Sequence, residues 1–571
     1  MAVAAMLLTY RMVQLHVIDK DFLINQGEAR AIRFEEIIAN RGVITDRHGA
    51  PLAVSTPVET VWVNPQELLQ GVPDQERVNQ LCKLLEMSRD WFDERVIQNG
   101  AREFVFLKRK IQPSLARQVT SLKIPGIHIQ RDYKRFYPAA EVAAHVVGFV
   151  DVDEQGQEGL ELAFDKWLQG VPGRKRVLKD RLGNVIENLA LEAEPKEGND
   201  LKLSLDLRLQ YVAYQELKSV VKAHNAMAGS VVVLDARTAE VLAMVNQPSY
   251  NPNNRESIGS GSLRNRAITD VFEPGSTVKP LTMLAAFETG KYSLSTLIDT
   301  TPGILRIGQK RIRDHRDYGV IDVATVVAKS SNVGTSKIAL DISGEKLWEM
   351  FNRLGMGQAI GTGFPGEGVG VLPHPVKWHP LTVATMSYGY GLNITTLQLA
   401  RAYQVVANDG VGYYPSLLAG AQSGKGQSIV SSDVTRQVRQ ALAKVVEKGG
   451  TGTRAQVESY QVAGKTGTVH SVGANGYQDN QYKSLFAGMA PVDNPSVVIA
   501  IMIDGPQGDE YYGGEVAAPV FSRIAAGAMR LLNVAPDVVP ATEVTQKQLD
   551  QIIESIGQRA EVQKMPGGQN G

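Results

Sequence analysis

The chain of 571 residues holds one cysteine, Cys82, which excludes an intrachain disulfide and any multi-cysteine metal site. Within "VNQLCKLLEM" it reads as a buried helix residue. No charge sign is in excess, because Lys+Arg and Asp+Glu both number 60, so there is no basic surplus to bring in nucleic acid. The nine histidines are scattered without ligand spacing, which leaves no metal site to propose. A long apolar run is also missing at the amino terminus: "MAVAAMLL" is cut short by Arg11, whereas a membrane span needs roughly 20 residues. No Lys or Arg precedes it, so the basic region of a signal peptide is lacking as well. Composition alone favours a core helix here over a late start or the remnant of a membrane anchor.

What is present is ordinary for a folded protein of several domains: 43% hydrophobic and 21% charged residues. Residues 1–30 read as helical, with Leu8, Met12, Leu15, Phe22 and Leu23 on one stripe. Two strand–turn–strand units, "GVITDRHGAPLAVS" (42–55) and "KRVLKDRLGNVIENL" (175–189), both carry Asp-Arg-x-Gly between apolar runs. Helical stretches lie between them, at 78–98 and in "ELAFDKWLQG", so 30–200 reads as a strand-rich module. The polar break "EPKEGND" (194–200) suits a domain boundary. Beyond it come an amphipathic helix (207–226), a β-hairpin (229–245), helices from about 277 to 450, strands again, and a final helix (516–532). Strands from both ends around a helical insertion predict an α+β fold with an antiparallel sheet covered by helices. After about 535 the chain turns polar and has the composition of a disordered tail.

Chemistry is suggested by Ser-x-x-Lys, a weak pattern that occurs three times, at Ser219/Lys222, Ser276/Lys279 and Ser343/Lys346. The first falls within the amphipathic helix and the third in a polar "SGEK" turn. Only in "VFEPGSTVKP" does a Pro-Gly turn deliver the serine into an apolar helix. Residues three apart share a helix face, so the Lys279 amine can reach the Ser276 hydroxyl, and the first-turn amides favour an anion there. A neutral lysine can take the serine's proton, but neutrality near pH 7 requires burial or a second cation nearby. Without these, Ser276 is a helix cap and Lys279 a solvated side chain.

Two further triplets bear on this. "KSSNVGTSK" holds Ser330-Ser331-Asn332 at a helix start, whereas the other Ser-x-Asn, Ser249/Asn251 in "QPSYNPN", reads as a proline-bounded turn. "VAGKTGT" holds Lys465-Thr466-Gly467 after a strand-like run, with a plain hairpin turn over Gly464–Thr468 as the alternative. Lys465 supplies the second cation, and Gly467 would let a substrate backbone approach the strand.

Ser-x-x-Lys, Ser-x-Asn and Lys-Thr-Gly in this order resemble the signature of penicillin-binding proteins and class A β-lactamases. "RGVITDRHGAPLA" (41–53) resembles the pedestal of class B penicillin-binding proteins. "FEPGSTVKP", "YGYGLNITTLQLARAY" and "YYGGEVAAPVF" are similar to the division-specific, FtsI-type group, also called penicillin-binding protein 3. The resemblance spans about residues 10–535 and implies a membrane-anchor remnant (1–20), a dimerisation-type pedestal (21–200), a transpeptidase domain (201–535) and the tail (536–571). It also turns the amino-terminal reading towards a late start or a trimmed anchor.

The implied reaction is D,D-transpeptidation of peptidoglycan without cofactor or metal, at the division septum of a bacterium. The protein would be anchored in the inner membrane with its catalytic domain in the periplasm. Ser276 would attack the stem peptide, with Lys279 as base, Ser330 as proton relay and Asn332 holding Lys279 and the substrate amide. Lys465 and Thr466 would tune this network, and Thr466 and Thr468 would bind the substrate carboxylate. The amides of Ser276 and Thr468 would form the oxyanion hole, and Tyr388 and Tyr390 would line the cleft. His470 reads as a strand surface residue. β-Lactams would acylate the same serine. Implied partners are an SEDS-type glycan polymerase and divisome proteins. The rival readings are an elongation-type paralogue, a β-lactam sensor or scaffold without turnover, and a β-lactamase, which the long pedestal disfavours.

Overall fold

The computed structural model describes residues 2–21, 32–179, 185–259, 261–374, 378–420, 426–473 and 476–538. The amino-terminal helix runs over Ala2–Val13, followed by a π-turn at Gln14–Ile18. Its apolar side chains, Met6 and Leu8 among them, are exposed, so it is not a core helix. Phe22 and Leu23 of the expected stripe lie outside the described residues, and among those described no helix is long and apolar enough to cross a membrane.

In the strand-rich module, the long strand Pro51–Val63 pairs with Val105–Ile111 and Ile127–Phe136. The first Asp-Arg-x-Gly turn joins it to Ile44–Thr45. The second hairpin belongs to a separate three-stranded sheet of Ile32–Ile37, Gly173–Lys179 and Val185–Ala193, and its turn, residues 180–184, is outside the described residues. The helical stretch 78–98 is two helices, Gln75–Leu84 and Arg89–Gln98. Glu86 at φ +54° breaks it, and Ser88 caps the second helix by accepting from the Trp91 amide at 3.2 Å. Cys82 is buried in the first. The Asp46–Gly49 turn clamps this module to the next: Asp46 Oδ2 accepts from the Leu207 amide at 3.1 Å and the Arg47 amide donates to Leu205 O at 2.9 Å.

The second module centres on one five-stranded antiparallel sheet. Its elements are α1 (Leu207–Ala223), β1 (Ala228–Asp235), β2 (Val241–Gln247), α2 (Lys279–Glu288), α3 (Asn332–Ile342), α4 (Thr396–Ala407), β3 (Ala463–Gly473), β4 (Gly476–Ala490), β5 (Val497–Asp504) and α5 (Gly513–Leu531). The strand order is β2-β1-β5-β4-β3, so the Lys-Thr-Gly strand is an edge strand. Helices cover both faces, which is why these antiparallel strands read as continuous apolar runs rather than alternating ones. Val231, Val233, Ile499 and Ile501 pack under α1 and α5 with Leu217 and Phe521. Val232, Leu234, Val498 and Ala500 face the helical insertion with Leu281, Leu284 and Leu397. The predicted α+β architecture is the one observed.

Candidate active site

Ser276 sits in a single 3-10 turn, Gly275–Val278, that runs directly into α2. Gly275 has φ +53°, and a Cβ there would lie 2.3 Å from Val469 Cγ1 on β3, so the turn needs glycine twice over. The Thr277 hydroxyl donates to Pro274 O at 2.7 Å, and the buried Tyr403 hydroxyl donates to Thr277 O at 2.7 Å. Glu273 accepts from the Gly391 amide at 2.8 Å and from the Tyr477 hydroxyl at 3.0 Å. The serine turn is thereby tied to α4, to the "YGYG" loop and to the β3–β4 hairpin.

α2 is buried along all but its last residue, and Lys279, its first, is fully buried. Its Nζ lies 2.5 Å from Ser330 O, 2.7 Å from Asn332 Oδ1 and 3.0 Å from Ser330 Oγ. The amine is thus bonded to the Ser-x-Asn turn rather than to Ser276. This arrangement suits a neutral amine, whose two N–H groups satisfy the carbonyl and the amide oxygen and whose lone pair is left for a hydroxyl proton. Burial is the first cause that holds the Lys279 amine well below the ordinary lysine range, and Lys465 is the second; Asp314 opposes them. The sequence left burial and a second cation as alternatives; both act, and desolvation comes first. Lys465 is itself fully buried and brought down to about 7 by desolvation.

The Ser-x-Asn turn is held by a residue with no signature in the sequence. Asp314 accepts from the Ser331 hydroxyl at 2.5 Å through Oδ2, and from the amides of Asn332 at 2.5 Å and Val333 at 3.0 Å through Oδ1. Ser331 caps α3, accepting from the Gly334 amide at 2.8 Å. These bonds fix Ser330 at φ +58°, a left-handed conformation uncommon for a residue with a side chain.

β3 forms part of the wall. The Lys465 amine donates to Thr466 O at 3.1 Å, and the Thr466 and Thr451 hydroxyls are 2.8 Å apart. Thr468 Oγ1 accepts from the Gly513 amide at 2.9 Å, so its own proton is free for a ligand. Gly467 is required by the serine turn as much as by any substrate: a Cβ there would lie 2.9 Å from Thr277 Cγ2 and 3.2 Å from Pro274 O.

These groups open onto one cleft of about 750 Å³, whose lining includes Ser276, Ser330, Asn332, Thr466, Gly467 and Thr468. Tyr390 lines it; Tyr388 meets the Tyr390 ring at 5.7 Å and is not itself among the lining residues. His470 is half-buried on β3 and also lines the cleft, with its ring 4.7 Å from that of Tyr482. Tyr482, Tyr511 and Tyr512 form an aromatic wall, with centroids at 4.3 and 4.5 Å; sequence reasoning passed over these rings, although "YYGGE" was a visible aromatic pair. The other two Ser-x-x-Lys pairs are remote from this arrangement. Ser219 and Lys222 belong to α1, and Ser343 caps the helix Gly344–Arg353, accepting from the Lys346 amide at 3.5 Å, so the "SGEK" stretch starts a helix rather than forming a free turn.

The chain matches two families of known proteins: residues 229–526 match the penicillin binding protein transpeptidase domain and residues 36–203 the penicillin-binding protein dimerisation domain. It is 40% identical over 531 residues to the peptidoglycan D,D-transpeptidase FtsI of Escherichia coli strain K12, covering 93% of this chain and 90% of that one. A probable peptidoglycan D,D-transpeptidase, PbpC of Pseudomonas aeruginosa, is 40% identical over 534 residues, 94% of each chain. Among solved structures, penicillin binding protein 3 from Mycobacterium tuberculosis, complexed with aztreonam, superposes with a TM-score of 0.68 at 30% identity, covering 89% of this chain and 100% of that one. The motifs, the sheet that carries them and these matches agree: the chain belongs to the penicillin-binding protein transpeptidase family.

Proposed function

We propose that this protein is a division-specific peptidoglycan D,D-transpeptidase and a target of β-lactams. The observation that carries the reading is that Ser276, Ser330 and Asn332 line one cleft while the buried Lys279 is bonded to the Ser330–Asn332 turn and feels the charge of Lys465. The Ser276 oxygen attacks the carbonyl between the two terminal D-alanines of a donor stem peptide, and its proton passes to the Lys279 amine. The oxyanion that forms is met by the backbone amides of Ser276 and Thr468. The C–N bond then breaks, and D-alanine leaves with a proton relayed through Ser330, leaving an ester on Ser276. An amine from a second stem peptide attacks the ester, loses a proton to the same relay, and releases Ser276 with the cross-link formed.

In this scheme Asn332 holds the Lys279 amine and the substrate amide, and Thr466 and Thr468 hold the donor's carboxylate through hydroxyl protons. Tyr388 supports Tyr390 at the cleft. The exposed apolar helix Ala2–Val13 supports attachment to the inner membrane, with the catalytic domain in the periplasm. The implied partners are an SEDS-type polymerase, which makes the glycan strands, and other divisome proteins.

The test supplies uncross-linked glycan strands with pentapeptide stems to the purified protein. Release of D-alanine with matching formation of dimeric muropeptides is the expected result. D-Alanine release without dimers, or rapid repeated hydrolysis of penicillin, contradicts the reading.

A further inference from the structure

A short hairpin beside the cleft carries charge that its own fold does not neutralise. Strands Ile304–Ile307 and Lys310–Arg313 pair antiparallel, with Arg306 opposite Arg311 and Ile304 opposite Arg313. Residues two apart on a strand share a face, so Arg306, Arg311 and Arg313 stand together on one side, while Ile312 on the other side is buried. All three arginines are exposed, and among the described residues none of them forms an ion pair. By contrast, Arg353 pairs with Glu288 and Arg454 with Glu510. Like charges directly opposite each other destabilise a two-stranded hairpin, so this placement works against the element that carries it.

The hairpin is continuous with the active cleft. Arg313 offers its carbonyl to Asn332 Nδ2 at 3.0 Å, Asp314 follows as the clamp of the Ser-x-Asn turn, and His315 lines the cleft. β3, with Thr466 and Thr468, supplies a different wall, where the donor carboxylate is assigned. Arg306, Arg311 and Arg313 are not themselves lining residues of the cleft, so they form a face outside it on the segment that also supplies Asp314 and His315. Stem peptides carry free carboxylates, and the guanidinium fork matches a carboxylate two-pronged.

We propose that the face formed by Arg306, Arg311 and Arg313 binds carboxylates of the acceptor stem peptide and guides its amine to the acyl-enzyme. The inference rests on the transpeptidase reading. The acceptor is held by exposed charges, so its binding weakens with salt and governs the encounter more than the bond-making step.

The experiment uses the full chain with Ser276 first blocked by penicillin, and a fluorescent stem tetrapeptide, which lacks the terminal D-alanine needed of a donor. Anisotropy is read for the free-carboxylate and fully amidated forms, at low and high salt, on the wild type and on Arg306→Gln/Arg311→Gln. The expected result is about fivefold weaker binding of the carboxylate form by the variant, a shallower salt dependence, and weak binding of the amidated form by both proteins. The variant's melting temperature should hold or rise, since a repulsion is removed; a merely structural role would lower it. Equal affinity of wild type and variant, or equal binding of the amidated peptide, overturns the proposal. If penicillin fails to acylate the protein, the transpeptidase reading falls separately, and the same anisotropy on the unblocked chain still decides the arginine face.

Discussion

Lys279 Nζ and Ser330 Oγ lie 3.0 Å apart across two segments that are separated by 51 positions in the chain, and the buried amine makes its closest contact, 2.5 Å, with the carbonyl of the same serine. The amine is therefore positioned by the turn that it is hydrogen-bonded to. Its charge state is set by burial first and then by two opposed neighbours, Lys465 and Asp314.

Those two neighbours predict opposite changes in one pH profile. Acylation needs Lys279 neutral, so its rate rises with pH through the pKa of that amine. Lys465 disfavours the ammonium and Asp314 favours it. Replacing Lys465 by Gln should move the rising limb to higher pH, and Asp314→Asn should move it lower, each by about one pH unit. Asp314→Asn should also slow acylation about tenfold, because the Ser330 turn loses part of its clamp. Stopped-flow acylation by a chromogenic β-lactam across pH 5–10 reads both shifts; shifts in the same direction would show that the two charges do not act through Lys279.

Lys465 predicts an effect on stability with a definite sign. Its folded-state pKa of about 7 lies below the ordinary 10.5, so a proton held by the unfolded chain is released on folding between those values. The wild type therefore gains stability as pH rises through that window, and at pH 7 and below the buried ammonium weighs against the fold by at most about 5 kcal/mol. Lys465→Met should raise the melting temperature near pH 6, and the gain should shrink towards pH 10. Thermal denaturation at several pH values checks the slope.

Gly467→Ala tests the close approach of β3 to the serine turn. With its Cβ 2.9 Å from Thr277 Cγ2 and 3.2 Å from Pro274 O, the variant must push the turn away. Overpacking of this kind destabilises by about 1–3 kcal/mol, and a displacement on the order of 1 Å at the nucleophile should slow acylation about a hundredfold. A variant that melts lower but acylates at the wild-type rate would show that the turn is not positioned from β3.

Much of this was legible in the sequence because it rests on local chemistry. The Pro-Gly turn before an apolar helix, the helix start at Ser330–Asn332 and the glycine-bearing strand each announce themselves within ten residues, and the β-hairpin at 229–245 with the later strands pointed to the sheet. What escaped reading depends on distance in the chain. Asp314 lies in the irregular segment after the Lys310–Arg313 strand, and only folding brings it to the amides of Asn332 and Val333. The burial of Lys279 is set by every element around α2, and no window of sequence reports it. The break at Glu86 and the cap at Ser343 escaped because apolar periodicity does not register a residue at positive φ, +54° and +85° here.

Ser276 is expected to be the acylated residue, with Lys279 as its base. Labelling with a fluorescent penicillin, followed by mass spectrometry of the modified peptide, tests it most directly. One adduct on Ser276 is expected, with none in Ser276→Ala and labelling about a thousandfold slower in Lys279→Met. An adduct on Ser219 or Ser343, or labelling of Lys279→Met at the wild-type rate, would contradict it.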